Sequence, residues 1–92
     1  MNYNKRVDKN QQEIVAEFRR LGFSVYITSH VGAGFPDLMT GKNGKTVLVE
    51  IKSSEQAKWT ESQLEFMSKW QGGTVMRVNN IEDVQKLANM VK

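Results

Sequence analysis

Apolar residues recur along this chain with two different periods. Gln11, Ile14, Val15, Phe18 and Leu21 fall at helical spacing, with Asp8 placed to cap the helix, Gln11 three residues later, and Gly22 as a stop. Phe23, Val25 and Ile27 then alternate with Ser24, Tyr26 and Thr28, the pattern of a half-buried strand. Ser29 to Gly34 is a loop of mostly small residues. Two apolar-rich runs follow, separated by Asn43-Gly44, the strongest short-range signal for a two-residue hairpin loop because both central residues must take positive φ.

Beyond Lys52 the stretch 53–58 is polar and irregular. Thr60 reads as an N-cap with Gln63 completing a capping box and Trp59 packing on Leu64 as a hydrophobic staple. Leu64, Met67, Phe66 and Trp70 supply that helix's apolar face, and Gly72-Gly73 ends it. Thr74 to Val78 forms a further strand, and Asn80 caps a last helix with Ile81, Val84, Leu87, Ala88 and Val91 inward. The order αβββαβα, without repeat or linker, describes one α/β domain over residues 1–92. Its strand–helix–strand unit, taken as a right-handed crossover, sets the last strand parallel to the strand of Glu50, in a mixed sheet flanked by helices.

The hairpin turn also fixes a register. If Lys42 faces Lys45, counting back along both strands pairs Asp37 with Glu50. Asp37, Met39, Leu48 and Glu50 then share one face, and Pro36, Leu38, Val47, Val49 and Ile51 the other; Lys52 falls on the acidic face. Directly opposed residues have Cβ atoms about 4.5–5.5 Å apart, and like charges there are destabilising. A hard divalent cation relieves this, since Mg²⁺ takes oxygen ligands and is held by one or two carboxylates plus water and phosphate oxygens. A neighbouring lysine can orient a phosphate or a water. The bland alternative is a surface acid after a loop and a Glu50–Lys52 pair along one strand. Against it, these charges end a strongly apolar strand, where charge in a small domain needs a reason.

Composition narrows the field only modestly. With 92 residues, 39% hydrophobic and 25% charged, the chain is an ordinary globular domain. It has no cysteine, which excludes disulfides and thiolate zinc sites and suits a reducing cytoplasm, and its one histidine cannot build a histidine metal cluster. The polar start argues against a signal peptide or a membrane span, so a soluble intracellular protein of a bacterial or virus-infected cell is expected. A net charge of +3 permits a polyanionic partner without requiring one.

Gly34-Phe35-Pro36-Asp37-Leu38, the spacing to Glu50-Ile51-Lys52, and the following helix with Gln63 resemble the PD-(D/E)XK nuclease superfamily. Within it the chain is most similar to the VRR-NUC family, the virus-type replication and repair nucleases, in short stand-alone form. The resemblance implies a restriction-endonuclease-like fold and Mg²⁺- or Mn²⁺-dependent hydrolysis of DNA phosphodiesters. It implies Asp37 and Glu50 as metal ligands, the backbone carbonyl of Ile51 as a third, and Lys52 as the group that positions or activates the attacking water. Related junction resolvases carry an acid in the first helix, where this chain has Gln11, a departure. Gln11 stays a candidate site residue because an amide oxygen can still coordinate or hold a metal-bound water; Glu13, the nearest acid, lies on another side of the helix.

Gln63 has two readings, a capping-box residue and a site residue. His30 is read as a solvated loop residue. Lys42, Lys45, Lys58 and Lys69 are candidates for DNA-backbone contacts or simply solubilising charges. The leading expectation is an endonuclease for branched DNA such as Holliday junctions, acting in DNA repair as a homodimer, with Trp59, Trp70 or Met90 at the interface. The alternatives are a flap or nicked-duplex nuclease of a repair complex, and a non-catalytic DNA-binding module.

Overall fold

The computed structural model describes the backbone of residues 5–91 and the side chains of residues 9–91. The elements are α1 (Lys5–Arg20), β1 (Ser24–Ile27), β2 (Leu38–Lys42), β3 (Lys45–Ile51), α2 (Glu61–Lys69), β4 (Thr74–Val78) and α3 (Ile81–Met90), the order expected. The four strands form one sheet in sequence order, antiparallel from β1 to β3, with β4 parallel to β3. This is a restriction-endonuclease-like α/β fold.

Helix α1 begins earlier than the sequence suggests. It already runs at Lys5, so Asp8 lies within it and does not cap it; the Asp8 side chain is outside the described residues. Its end follows the expected stop. Gly22 takes φ +91°, its N–H reaches the Arg19 carbonyl at 3.0 Å, and the Phe23 N–H reaches that of Phe18 at 3.0 Å. This is a Schellman closure. Phe23 completes it by packing edge-on against Phe18, with centroids 5.2 Å apart. The remaining Leu21 carbonyl accepts Lys42 Nζ at 2.6 Å, and the same ammonium lies over the Phe23 ring. Lys42 is therefore committed to the C-terminus of α1, where a cation also complements the helix dipole. Phe23, expected to open the strand, belongs instead to this closure and is buried.

Asn43 and Gly44 both take positive φ, +56° and +78°. The register is the one counted from them: Lys42 opposite Lys45, and on to Leu38 opposite Val49. The backbone ladder stops there, one step short of Asp37 and Glu50. Leu38, Thr40, Val47 and Val49 turn to one face, where Ile14, Phe18, Val84 and Leu87 of α1 and α3 cover them in the core. Thr40, the polar member of that face, is satisfied by the Val47 carbonyl at 2.9 Å. The opposite face carries Leu48 and Glu50, both buried, and the register neighbours Tyr26 and Met39, both exposed.

Helix α2 bears out the capping box. Thr60 Oγ1 accepts the Gln63 N–H, and Gln63 Oε1 accepts the Thr60 N–H. Of the apolar face expected, Phe66 and Trp70 pack and Leu64 does not. Leu64 is half exposed and no residue of α2 is buried. Phe66 and Trp70 instead stack on each other, and Phe35 meets both edge-on. The helix ends at Lys69, with Trp70 extended as its C-cap, ahead of the two glycines. Asn80 caps α3 by accepting the Asp83 N–H, and no helix among the described residues is long and apolar enough to cross a membrane.

Candidate active site

Asp37 sits just ahead of β2, where its backbone is held from the other side by the end of β1. The Thr28 N–H donates to the Asp37 carbonyl at 2.7 Å, and Thr28 Oγ1 to the Pro36 carbonyl at 2.8 Å. Proline fixes its own φ and biases Phe35 towards extended backbone, so the approach to Asp37 is stiff. The loop before it packs against α2. Gly34, at φ +78°, passes so near the Ser62 carbonyl that a Cβ would overlap it.

The Asp37 side chain continues the sheet where the backbone ladder ends. Its Oδ2 accepts the Ile51 N–H at 2.9 Å. In an extended strand the N–H and C=O of one residue point to the same side, so the Ile51 carbonyl also emerges towards Asp37. Glu50 is buried, with 4% of its surface exposed. Burial, then the negative charge of Asp37, push its carboxyl up to about 7, while Lys52 acts in the opposite direction. The two carboxyls are close enough for a protonated Glu50 to hydrogen-bond Asp37.

Gln63 joins the remaining groups. Its Nε2 donates to Glu50 Oε2 at 2.8 Å, and its Oε1 accepts Lys52 Nζ at 2.8 Å as well as the Thr60 N–H at 2.9 Å. The two readings of Gln63 are thus compatible: one amide caps α2 and spans Glu50 and Lys52. Lys52 Nζ stands 3.7 Å from Glu50 Oε2 and 5.8 Å from the centroid of Trp59. Trp59, expected as a staple for Leu64, forms one wall around this ammonium.

Gln11 is half buried on α1. Its neighbour Asn10 donates to the Asn79 carbonyl just past β4, at 3.5 Å, which places this turn of α1 at the sheet end where β3 and β4 finish. No hydrogen bond joins Gln11 to either carboxylate among the described residues. Glu13 and His30 are exposed, and Lys69 pairs with Glu65 at 3.5 Å. Two residues that the sequence did not single out belong here. Thr28 anchors the Pro-Asp backbone, and Arg77 is the β4 neighbour of Glu50 in the parallel register. The alternation of β1 signals the first only weakly, and nothing local signals the second.

Among the described residues no three His, Cys, Asp or Glu side chains cluster as a metal site. The donor set is two carboxylates, one of them raised in pKa by its burial and then by the other's charge, with a backbone carbonyl beside them. That is too few ligands for a closed all-protein cage, and it suits a hard cation that keeps several waters.

Neither a family model nor a curated protein matches the chain. A solved structure described as a VRR_NUC domain does, with a TM-score of 0.76 and 28% identity, over 92% of this chain and 96% of that one. The chain is similar to the VRR-NUC family in both fold and sequence. It is a nuclease domain, and it fills almost the whole length of its VRR-NUC relative.

Proposed function

We propose that this VRR-NUC domain is an endonuclease that hydrolyses DNA phosphodiesters with a divalent cation, Mg²⁺ or Mn²⁺. The observation that carries the reading is buried Glu50 with half-buried Asp37 beside it, and the Lys52 ammonium and the Gln63 amide fixed next to Glu50. Asp37, Glu50 and the Ile51 carbonyl are the groups that would hold the cation. Bound there, it would offset charge building on the phosphate and make a water a better nucleophile.

The chain's own residues have separate tasks. Asp37 and Glu50 set the negative charge of the site, and the Ile51 N–H fixes which carboxylate oxygen of Asp37 stays free. Gln63 holds Glu50 Oε2 and Lys52 Nζ on opposite ends of one planar amide, so their separation is fixed before substrate arrives. The Lys52 ammonium, walled by Trp59, orients the attacking water or the phosphate it attacks. Gln11 takes the place of a first-helix acid as a polar group at the margin of the site.

The substrate we favour is branched DNA such as a Holliday junction, cut by a homodimer in DNA repair. Exposed Tyr26 beside Met39, with Trp70 and Met90, offers apolar surface for a second copy. A flap or nicked duplex is the alternative substrate. Gln11, where related resolvases carry an acid, favours a non-catalytic DNA-binding module as the other reading. Labelled junction, flap and linear duplex incubated with Mg²⁺, Mn²⁺ or EDTA test all of these. Metal-dependent cutting with preference for the junction is expected; binding without cutting in either metal would leave only the DNA-binding module.

A further inference from the structure

The parallel register of β3 and β4 places Arg77 beside Glu50. Asp37 stands on the other side of Glu50, so two acids and an arginine occupy one row across the end of the sheet, on neighbouring strands about 4.8 Å apart. Side chains of one row share a face, and this is the face of the candidate active site. Yet Arg77 forms no ion pair with Glu50 or with any other described carboxylate. Its guanidinium is held by two neutral oxygens: Nη2 donates to the Ser54 carbonyl at 2.6 Å and Nε to Asn79 Oδ1 at 3.3 Å.

Neutral acceptors fix the orientation of a guanidinium without cancelling its charge. A guanidinium has five N–H donors in a rigid fork, and these two bonds leave several of them open. Other cations near the fold are spent differently. Lys52 is bonded to Gln63 and set near Glu50, Lys42 closes the end of α1, and Lys69 pairs with Glu65. Arg77 keeps its full charge one strand away from Glu50, on the same face of the sheet.

We propose that Arg77 binds a backbone phosphate of the DNA adjacent to the one that is cut, taking its non-bridging oxygens on the free prongs of the guanidinium. Such charge-assisted contacts are stronger than neutral hydrogen bonds and match phosphate geometry. The proposal rests on the nuclease reading above and adds a substrate-positioning residue to it. The bond to Ser54 ties the same arginine to the segment leading into α2, so loosening of that segment is the competing structural role.

The test is equilibrium binding of labelled duplex and junction DNA in EDTA across a salt series, with cleavage in Mg²⁺ measured in parallel, for wild type, Arg77→Gln and Arg77→Lys. Arg77→Gln should weaken binding about tenfold and reduce the slope of log affinity against log salt by about one. Arg77→Lys should restore the slope, because the charge remains, and only part of the affinity, because the fork is lost. Wild type that binds and cuts while Arg77→Gln keeps its slope overturns the proposal and leaves the nuclease reading intact. Loss of cutting in both variants at an unchanged slope assigns Arg77 to the loop alone and also overturns it. Wild type that neither binds nor cuts removes the nuclease reading itself, and the proposal with it. Should Arg77→Gln fail to show a cooperative melt, the Nε–H resonance of Arg77 in wild type decides: movement on adding DNA supports the contact, and no movement overturns it.

Discussion

Asp37 Oδ2 accepts the Ile51 N–H at 2.9 Å, one step past the last backbone pair of β2 and β3. The carboxylate therefore does the work of a strand residue, and that bond leaves its second oxygen unused. Asp37→Asn separates these roles. Its amide oxygen can still accept the Ile51 N–H, and the repulsion that raises Glu50 is gone. In EDTA the variant should melt at or above the wild-type temperature, while metal-dependent cleavage should fall about a hundredfold or more. Thermal melting and single-turnover cleavage on the same preparation check both halves.

Glu50 gives the domain a pH dependence of unusual sign. Its carboxyl lies at about 7 in the fold against an ordinary value of 4.5, so between these limits the folded state holds the proton more tightly than the unfolded chain. The resulting stabilisation is fully present below pH 4.5 and is lost as pH rises through 7, on the order of a few kcal/mol at most. In EDTA, Glu50→Gln should lack this dependence, so its melting temperature should pull ahead of wild type as pH increases from 4.5 to 8. A cation competes with that proton, and metal affinity should climb with pH to about 7 and then level off.

Glu17 works in the other direction. The hydrogen bonds from Arg20 and then Gln85 hold its carboxyl down at about 2, and through Gln85 it ties α1 to α3 at 3.0 Å. A lowered folded value contributes stability above pH 4.5 that is lost as pH falls through 2. Glu17→Gln should flatten the acid limb of the melting curve in that window and leave the limb from pH 5 to 8 unchanged.

How much of this was legible in the chain follows from how local each signal is. Asn43-Gly44 carries its own backbone geometry, so the hairpin register and the meeting of Asp37 with Glu50 were countable from residue numbers. The Thr60–Gln63 box and the Asn80 cap are equally local and were legible. Asp8 misled because a cap signal cannot exclude a helix that starts upstream. Trp59 was read as a partner for Leu64, whereas the Lys52 ammonium, just past the end of β3, lies over its ring. Arg77 was invisible beside Glu50, because a parallel register is set by how the connecting helix packs and leaves no mark in either strand.

Gln63 offers a way to separate helix capping from the site. Glutamate also serves at the third position of a capping box, so Gln63→Glu should keep α2 stable but replace the donor to Glu50 with a third acid. Gln63→Ala loses both functions and should destabilise the domain by about 1 kcal/mol. Both variants should cut poorly, but only Gln63→Ala should melt early, and Thr60→Ala should show the early melt with most of the cleavage retained.

Gly34 tests whether the loop before Asp37 is part of the site's support. A Cβ there would overlap the Ser62 carbonyl and the first turn of α2, and the φ of +78° is one that L residues rarely adopt. Because the obstacle is backbone, it cannot swing aside as a side chain would. Gly34→Ala must push the loop off α2, and Phe35 with it, out of its edge-on contacts with Phe66 and Trp70. A loss of about 2–4 kcal/mol is expected from strain and lost packing. Gly44 has the same φ but open space around it, so Gly44→Ala should cost about 1 kcal/mol from backbone strain alone. Denaturant midpoints of the two variants should differ accordingly; equal midpoints would mean that the loop is not seated on α2.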